Sequence, residues 1–156
     1  MQLSGHGQFS MFTVGQVLYV RPLGSWNEEC ATVYLKAFEQ GLVEIQKQHG
    51  AFFGIADMRY WTLGTPGALE IIGVGGREAR KQLGLGKIAD LYFGGDPIPS
   101  QVSRATFIPD SDCFWQVNTF EEAKEIMRSL SACVDYEELQ TLIDSDNLDL
   151  HPLSPT

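Results

Sequence analysis

Asp57 is the side chain best placed for chemistry. It ends the apolar run Ala51–Asp57, which predicts a central strand buried on both faces of a parallel sheet. The carboxyl ends of such strands are where α/β proteins bind ligands or hold catalytic groups. No His or Cys neighbour completes an acid–base or nucleophile pair, and a turn or cap acid is the commoner role. We therefore expect no catalytic site, and an enzyme built on Asp57 is our third alternative.

Four aromatic side chains fall near predicted strand and helix ends, where a binding surface would form. They are Trp26, Tyr60, Trp61 and Phe93. Together they could line an apolar pocket for a small molecule or lipid, or join a partner interface. Packing in the core or at its rim is the default role of aromatic residues.

The residues that usually bind metals or phosphate show no pattern. The cysteines and histidines are scattered at long spacings: Cys30, Cys113, Cys133, His6, His49 and His151. An odd cysteine count with such spacing fits neither a disulfide framework nor a zinc site. Residues 73–78 (Gly-Val-Gly-Gly-Arg-Glu) lack the G-x-G-x-x-G spacing and lie in a helical segment, so close helix packing is the better interpretation. We expect no metal and no cofactor.

Charge is concentrated at the end of the chain. The net charge is −9, and residues 135–156 hold six acids and no Lys or Arg, which leaves 14 acids against 11 bases in residues 1–134. Binding a phosphate backbone depends on clustered Lys and Arg. A nucleic-acid partner is therefore not expected.

A small basic face is predicted on the second helix by Arg77, Arg80 and Lys81, which stand at i, i+3 and i+4. Such a face is usually only a solvated surface. Its electrostatic complement is the acidic tail, and we hypothesise that residues 135–156 dock there, in their own chain or in a neighbouring copy.

Length and composition indicate one globular domain. A chain of 156 residues with 44% hydrophobic and 20% charged residues suits a single core. The first 15 residues carry no Lys or Arg and no long apolar run, so we expect neither a signal nor a transit peptide. No stretch approaches the ~20 apolar residues of a membrane span. We expect a cytoplasmic protein without stable membrane insertion.

The first half of the chain predicts a hairpin followed by a long helix. Strands are expected at residues 8–14 and 16–22, separated by Gly15. A capping box over residues 25–28, with Ser25 as N-cap, starts the first helix. Gly50 is expected to end it with a left-handed residue. The strand Ala51–Asp57 then completes a βαβ crossover.

The second half of the chain also predicts alternating helices and strands, from weaker signals. Thr65 is predicted to be the N-cap of a helix and Pro66 its first residue, and Gly84 or Gly86 is predicted to end this helix. Three strands are expected after it, at residues 87–93, 105–108 and 113–117, with a loop at residues 94–100. A second capping box starts a helix at Thr119. A last short helix, residues 135–144, precedes a loose tail.

Three local features carry a resemblance to a known family. They are the aromatic helix start at Trp26, the strand ending in Asp57 with Tyr60-Trp61 behind it, and residues 118–123 (Asn-Thr-Phe-Glu-Glu-Ala). With the element order, they make residues 7–132 resemble a STAS domain of the SpoIIAA-like group. The resemblance implies a single-domain α/β fold, a mixed four- or five-stranded sheet with helices packed on it. Residues 1–132 would form this domain and residues 133–156 an acidic C-terminal extension.

The resemblance also implies a function. Anti-sigma-factor antagonists of this superfamily carry a phosphorylatable serine in Asp-Ser-Ser-Gly at the start of the helix after that strand. Residues 64–67 (Gly-Thr-Pro-Gly) correspond to it here, and Pro66 cannot be phosphorylated. Thr65 keeps a hydroxyl, but N-capping is its favoured role. The implied function is a non-enzymatic regulatory module that binds a protein or a second copy. A module binding a small apolar ligand is the alternative.

Overall fold

The computed structural model describes residues 8–94 and 114–145 and the backbone of residues 151–152. Its strands are β1 Gln8–Val14, β2 Val17–Trp26, β3 Ala51–Asp57, β4 Trp61–Gly64, β5 Gly86–Phe93, β6 Phe114–Val117 and β7 His151–Pro152. Its helices are α1 Glu28–Gln46, α2 Pro66–Leu83, α3 Phe120–Ser129 and α4 Tyr136–Asp144.

These strands form one mixed sheet in the order β6-β5-β3-β2-β1-β7. Strands β2, β3, β5 and β6 are parallel, whereas β1 runs antiparallel to β2 and β7 antiparallel to β1. Strand β4 pairs in parallel with the last residues of β2. The predicted mixed sheet with a parallel centre and the β2-α1-β3 crossover are confirmed. Strands β4 and β7 were not predicted.

Side chains alternate across the sheet and divide the core into two layers. On β3, Phe52 and Ala56 pack on the side of α1 and α2, whereas Phe53 and Ile55 pack on the side of α3 and α4. Because both faces are covered, a central strand must be apolar at nearly every position. This explains why β3 could be recognised as a continuous apolar run.

Helices α1 and α2 pack closely along their whole length. A Cβ atom at Gly75 would lie 2.3 Å from Leu35 Cδ2, so the missing side chain permits the close approach. At one end the Thr65 hydroxyl donates a hydrogen bond to the Glu28 carboxylate. At the other end the Gln46 side-chain amide donates to the carbonyl of Leu83. The packing interpretation of the glycine-rich residues 73–78 is thus supported at Gly75.

The predicted start of α1 is wrong. Ser25 and Trp26 belong to β2, where they pair with Leu63 and Gly64 of β4, and pairing with β4 extends the strand past the predicted boundary. Asn27 is the N-cap, and its side chain accepts a hydrogen bond from the backbone N–H of Cys30 at 3.0 Å.

The predicted end of α1 is also wrong, because Gly50 does not have a positive φ. The helix ends at Gln46, with Lys47 still in the right-handed region. The backbone N–H groups of Gln48 and His49 both donate to the carbonyl of Ile45, at 3.1 and 2.9 Å. The last turn is therefore satisfied without a left-handed residue.

Local signals at the other helix ends are confirmed. Thr65 and Thr119 cap α2 and α3, each accepting from a backbone N–H three residues on, at 3.1 and 3.2 Å. Gly84 ends α2 with φ of 65°, and Asp135 caps α4. The strand expected at residues 105–108 and the loop after Gly94 lie outside the described residues.

Helix α4 packs on the sheet, on the face opposite to α2. Its Leu139 and Ile143 are buried in the layer beneath α3 and α4. Within its own chain, this part of the acidic segment therefore does not dock on the basic face of α2, which corrects that hypothesis. Apolar burial determines the position of α4, since an exposed charge pairing is worth far less. Of the tail expected to be loose, residues 151–152 pair with β1, and most of the rest lies outside the described residues.

The turn between β1 and β2 gives a stability prediction. Gly15 has φ of 56°, and a Cβ there would lie 2.3 Å from the backbone oxygen of Cys133, which accepts from Gln16 N–H at 2.8 Å. Gly24 has φ of 74° with nothing within 4 Å. We expect Gly24→Ala to cost about 1–2 kcal/mol through backbone strain alone. Gly15→Ala adds a clash with backbone and should cost at least about 1 kcal/mol more.

Urea unfolding of the two variants measures this difference directly. Gly24→Ala is the matched control, because it tests a left-handed glycine in open space. Equal losses of unfolding free energy would contradict a close packing of the segment around Cys133 on this turn.

Candidate functional site

The carboxylate of Asp57 lies at the C-terminal edge of the parallel strands and is completely buried, with 0% exposure. The hydroxyl of Tyr19 donates to its Oδ2 at 2.5 Å, and Arg21 Nε donates to the same oxygen at 3.0 Å. Arg21 Nε also lies 2.9 Å from the Tyr19 hydroxyl oxygen. Both donors come from β2, the strand next to β3 in the sheet.

Arg59 binds the same carboxylate from the other side. Its Nε donates to Oδ1 at 2.9 Å, its Nη2 donates to Oδ2 at 2.8 Å, and its backbone N–H lies 3.3 Å from Oδ1. This two-point contact is the geometry for which a planar guanidinium is suited. Asp57 is thus shared by two arginines, of which the Arg59 side chain is 35% exposed and the Arg21 side chain 11%.

The strand register brings these groups together. Tyr19 and Arg21 are two residues apart on β2 and therefore face the same side of the sheet. Tyr19 is opposite Ile55, so Arg21 lies beside Asp57 at the end of β3. Arg59 follows in the turn between β3 and β4. No local motif marks this arrangement, because it depends on the pairing of two strands.

Aromatic rings hold the two guanidinium groups in place. The ring of Tyr60, 50% exposed, lies 5.3 Å from the Arg21 guanidinium carbon and 5.4 Å from that of Arg59. The Arg59 guanidinium lies 4.4 Å from the centre of the Phe93 ring. We refer to Tyr19, Arg21, Asp57, Arg59 and Tyr60 as the Asp57 cluster.

The protonation states in the Asp57 cluster follow from its burial and its ion pairs. Burial alone would raise the pKa of Asp57, but hydrogen bonds from Arg59 and Tyr19 and the two guanidinium charges lower it overall. Burial and the adjacent carboxylate raise the pKa of Tyr19, and the hydrogen bonds to Asp57 raise that of Arg59. Asp57 therefore stays ionised and Tyr19 neutral near pH 7. The cluster is thus an ion-paired site with one buried carboxylate and two guanidinium groups.

The four aromatic residues that could have lined a pocket or joined an interface are separated by the sheet. Trp26 and Trp61 are buried against each other, ring centres 5.3 Å apart, in the layer beneath α1 and α2. Phe93 is buried in the opposite layer, and Tyr60 is exposed in the Asp57 cluster. Core packing, the default role of aromatic residues, is thus found for Trp26, Trp61 and Phe93, and the four side chains do not line one pocket.

A small cavity lies between α1 and the sheet. Its volume is about 40 Å³, and its lining includes Tyr34, Phe38, Phe52 and the Lys87–Asp90 ion pair, whose Nζ and Oδ2 are 2.8 Å apart. This is room for one or two water molecules, far below the ~300 Å³ of sites for small organic ligands.

Thr65 occupies the junction of α1 and α2. Its hydroxyl accepts from Ala68 N–H at 3.1 Å and donates to the Glu28 carboxylate. Its backbone N–H donates to the carbonyl of Trp26 at 2.9 Å. A Cβ at Gly67 would lie 2.8 Å from Glu28 Cγ, so the acidic side chain packs directly on the start of α2. The predicted N-cap role of Thr65 is confirmed.

The predicted basic residues line a shallow groove at the C-terminal end of α2. Arg77, Arg80 and Lys81 border it, together with Glu78. Among the described residues, no group of three His, Cys, Asp or Glu side chains could hold a metal ion. None of the helices in the described segments is long and apolar enough to cross a membrane.

Sequence reasoning identified Asp57 but missed its partners and Glu28. Arg21 offered the clearest signal, as a charged residue inside an apolar strand segment. Tyr19, two residues earlier, shares its face. The contact between Thr65 and Glu28, 37 residues apart, has no counterpart in local sequence.

Comparison with known proteins identifies the fold. No protein-family model and no curated protein matches the sequence. Among solved structures, the anti-sigma factor antagonist SpoIIAA in its unphosphorylated form matches 78% of this chain and 96% of its own, with 12% identity and a TM-score of 0.54. The Bacillus cell fate determinant SpoIIAA in the phosphorylated form matches 76% and 98%, with 10% identity and a TM-score of 0.50. The chain therefore has the SpoIIAA-like STAS fold, as the resemblance implied.

The Asp57 cluster predicts a pH-dependent loss of stability. Because the carboxylate has a lowered pKa in the folded protein, its contribution is present above the unfolded value of about 3.9 and is lost as the pH falls through the folded value. We expect Asp57→Asn to cost about 3 kcal/mol at pH 7, since it leaves two arginines facing a neutral group. The difference from the wild type should shrink below about pH 4.

Urea unfolding at pH 7 and pH 3 measures both effects. Glu44→Gln is the matched control, because Glu44 forms an exposed ion pair with Lys47. It should change the free energy of unfolding by less than about 1 kcal/mol. An Asp57→Asn loss that does not depend on pH would show that the carboxylate charge is not responsible.

Proposed function

We propose that this protein is a non-enzymatic regulatory module of the STAS type that binds a protein partner through the surface at the start of α2. The observation that carries the proposal is the SpoIIAA-like fold with exposed apolar side chains beside Thr65. The similar structure is named as an anti-sigma factor antagonist with a phosphorylated form. In this chain the corresponding helix starts with Thr65-Pro66-Gly67.

The proposed contact surface is formed by neighbouring exposed residues, which we call the α2-start surface. They are Arg59, Tyr60, Thr62, Leu63 and Pro66. Leu63 is 57% exposed on the short strand β4, and Tyr60 lies just before it. Exposed large apolar residues next to polar ones are typical of protein interfaces. The partner is a different protein or a second copy, which would make a homodimer.

The alternative function, binding a small molecule or lipid in an aromatic pocket, has less support. Trp26 and Trp61 are buried in the core, and the cavity beneath α1 has a volume of about 40 Å³. A retained ligand in the native mass spectrum of the purified protein would favour this alternative.

The proposed regulation does not use phosphorylation of Thr65. The Thr65 hydroxyl both caps α2 and donates to the Glu28 carboxylate. A phosphate at this oxygen would place two negative groups in contact, which opposes the attraction of a helix N-terminus for anions. The proposed setting is the cytoplasm, where Cys30 and Cys133, which form no disulfide in the described part of the chain, would stay reduced.

Residues 133–156 are proposed to be an extension of the domain formed by residues 1–132. Its helix α4 is attached to that domain by buried Leu139 and Ile143. The basic face of Arg77, Arg80 and Lys81 is proposed to contact acidic tail residues of a neighbouring copy.

The absence of a phosphoswitch can be tested by phosphopeptide mapping. We expect the peptide that contains Thr65 to be unmodified when the protein is extracted from its native cells in several growth states. The physical reason is the repulsion from Glu28 and the loss of the N-cap, which is worth about 1 kcal/mol. Detection of a phosphate on Thr65 in any of these states would overturn this part of the proposal.

Partner binding can be tested by crosslinking and co-purification from the native cells, with Leu63→Asp as the test variant. A charge at the centre of an apolar contact should lower the recovered partner at least about tenfold. A second copy as partner would appear as a dimer in native mass spectra that Leu63→Asp converts to monomer.

Val43→Asp is the matched control, because Val43 is exposed like Leu63 but lies on α1, 15 residues beyond Glu28 and thus about 22 Å along the helix. It should retain the partner. Equal losses in both variants would argue against the α2-start surface, and no specific partner in any sample would argue against the function itself.

A further inference from the structure

We infer that the α2-start surface recognises a partner segment in which an acidic side chain lies beside an apolar one. The guanidinium of Arg59 would pair with the carboxylate, and Tyr60 and Leu63 would contact the apolar side chain. This inference rests on the proposed function and specifies the chemistry of the partner.

The first support is an excess of positive charge. Arg21 and Arg59 share a single carboxylate, Asp57, so the Asp57 cluster carries one positive charge in a chain with net charge −9. In the described part of the chain, Asp57 is the one carboxylate within ion-pair distance of either guanidinium. Arg21 also donates through Nη2 to the carbonyl of Ile143. Arg59 is the more exposed arginine and presents this charge to solvent.

The second support is the number of donors that Arg59 still offers. A guanidinium has five N–H donors in a fixed plane. Arg59 uses Nε and Nη2 on Asp57, and Nη1 makes no hydrogen bond within the described segments. Because the contacts with Asp57, Tyr60 and Phe93 already hold the side chain, a partner carboxylate would bind a preorganised group.

The third support is the neighbourhood of Arg59, which favours a carboxylate on a protein over other anions. One excess positive charge matches the single charge of a carboxylate, whereas a phosphoryl group carries about −1.5 to −2 at pH 7. The ring of Tyr60 lies beside the Arg59 guanidinium, and Leu63 and Pro66 are the next exposed apolar residues along the chain. Nucleic-acid backbones require a basic stripe, which this surface lacks among its described residues.

The test uses a fluorescein-labelled peptide of alternating Glu and Leu residues and the same peptide with Gln in place of Glu. We expect the Glu peptide to raise the fluorescence anisotropy in the presence of the wild-type protein and the Gln peptide to bind at least about tenfold more weakly, since one charge-assisted hydrogen bond is worth roughly 1.5–3 kcal/mol. Arg59→Gln should weaken the Glu peptide by a similar factor, and Tyr60→Ala should weaken both peptides.

Arg128→Gln is the matched control, since it removes the same charge from an exposed site at the end of α3, outside both the α2-start surface and the basic face of α2. Because Arg59 also neutralises Asp57, urea unfolding must show that Arg59→Gln is folded at the assay temperature. If Arg59→Gln unfolds, Tyr60→Ala still tests the surface. The Tyr60 ring is half exposed, so we expect its removal to leave the protein folded.

Three results would overturn the inference. They are equal binding of the Glu and Gln peptides, equal effects of Arg59→Gln and Arg128→Gln, and displacement of the peptide by inorganic phosphate at comparable concentration, which would indicate a small-anion site. If a partner is captured from cells and Arg59→Gln still retains it, the inference fails while the proposed function stands. If no partner is captured at all, both fail.

Discussion

The buried carboxylate of Asp57 is the constraint on which the C-terminal edge of the sheet depends. A buried charge costs several kcal/mol unless charges and hydrogen bonds compensate it. Here the compensation comes from Tyr19 and Arg21 on β2 and from Arg59 in the turn that follows β3. The same carboxylate therefore fixes the register of two strands and the path of the turn. The exposed residues Tyr60, Thr62 and Leu63 lie in or directly after that turn, so a structural ion pair also positions the proposed contact surface.

Local physical signals made much of the fold predictable. The apolar run of β3, the Thr65-Pro66 helix start and the N-cap at Thr119 each depend on neighbouring residues, and all three are found in the structure. The start of α1 was misplaced because β4 pairs with the end of β2 and keeps Ser25 in a strand. Pairing with a strand of four residues thus prevailed over the capping-box pattern in the sequence. Such tertiary contacts override local preference and leave no mark in the local sequence.

The candidate site was predictable only in part, at Asp57 and Tyr60. Asp57 could be recognised because it ends an apolar run that predicts a strand, and strand ends are where α/β sheets hold functional groups. Its partners, in contrast, depend on which strands are neighbours in the sheet. Tyr19 and Asp57 are 38 residues apart, and their contact requires the parallel pairing of β2 with β3. The aromatic residues show the same limit, since Trp61 and Tyr60 are adjacent in sequence yet one is in the core and the other at the surface. Element ends can be located from sequence, whereas the face on which a side chain emerges there often cannot.

The contacts between α1 and α2 determine how this fold can move. The two helices are linked at their starts by Thr65 and Glu28, at their far ends by Gln46 and Leu83, and in between by the close approach at Gly75. Moving one helix relative to the other would break all three contacts. The two helices are therefore expected to respond to a contact at the start of α2 as one unit.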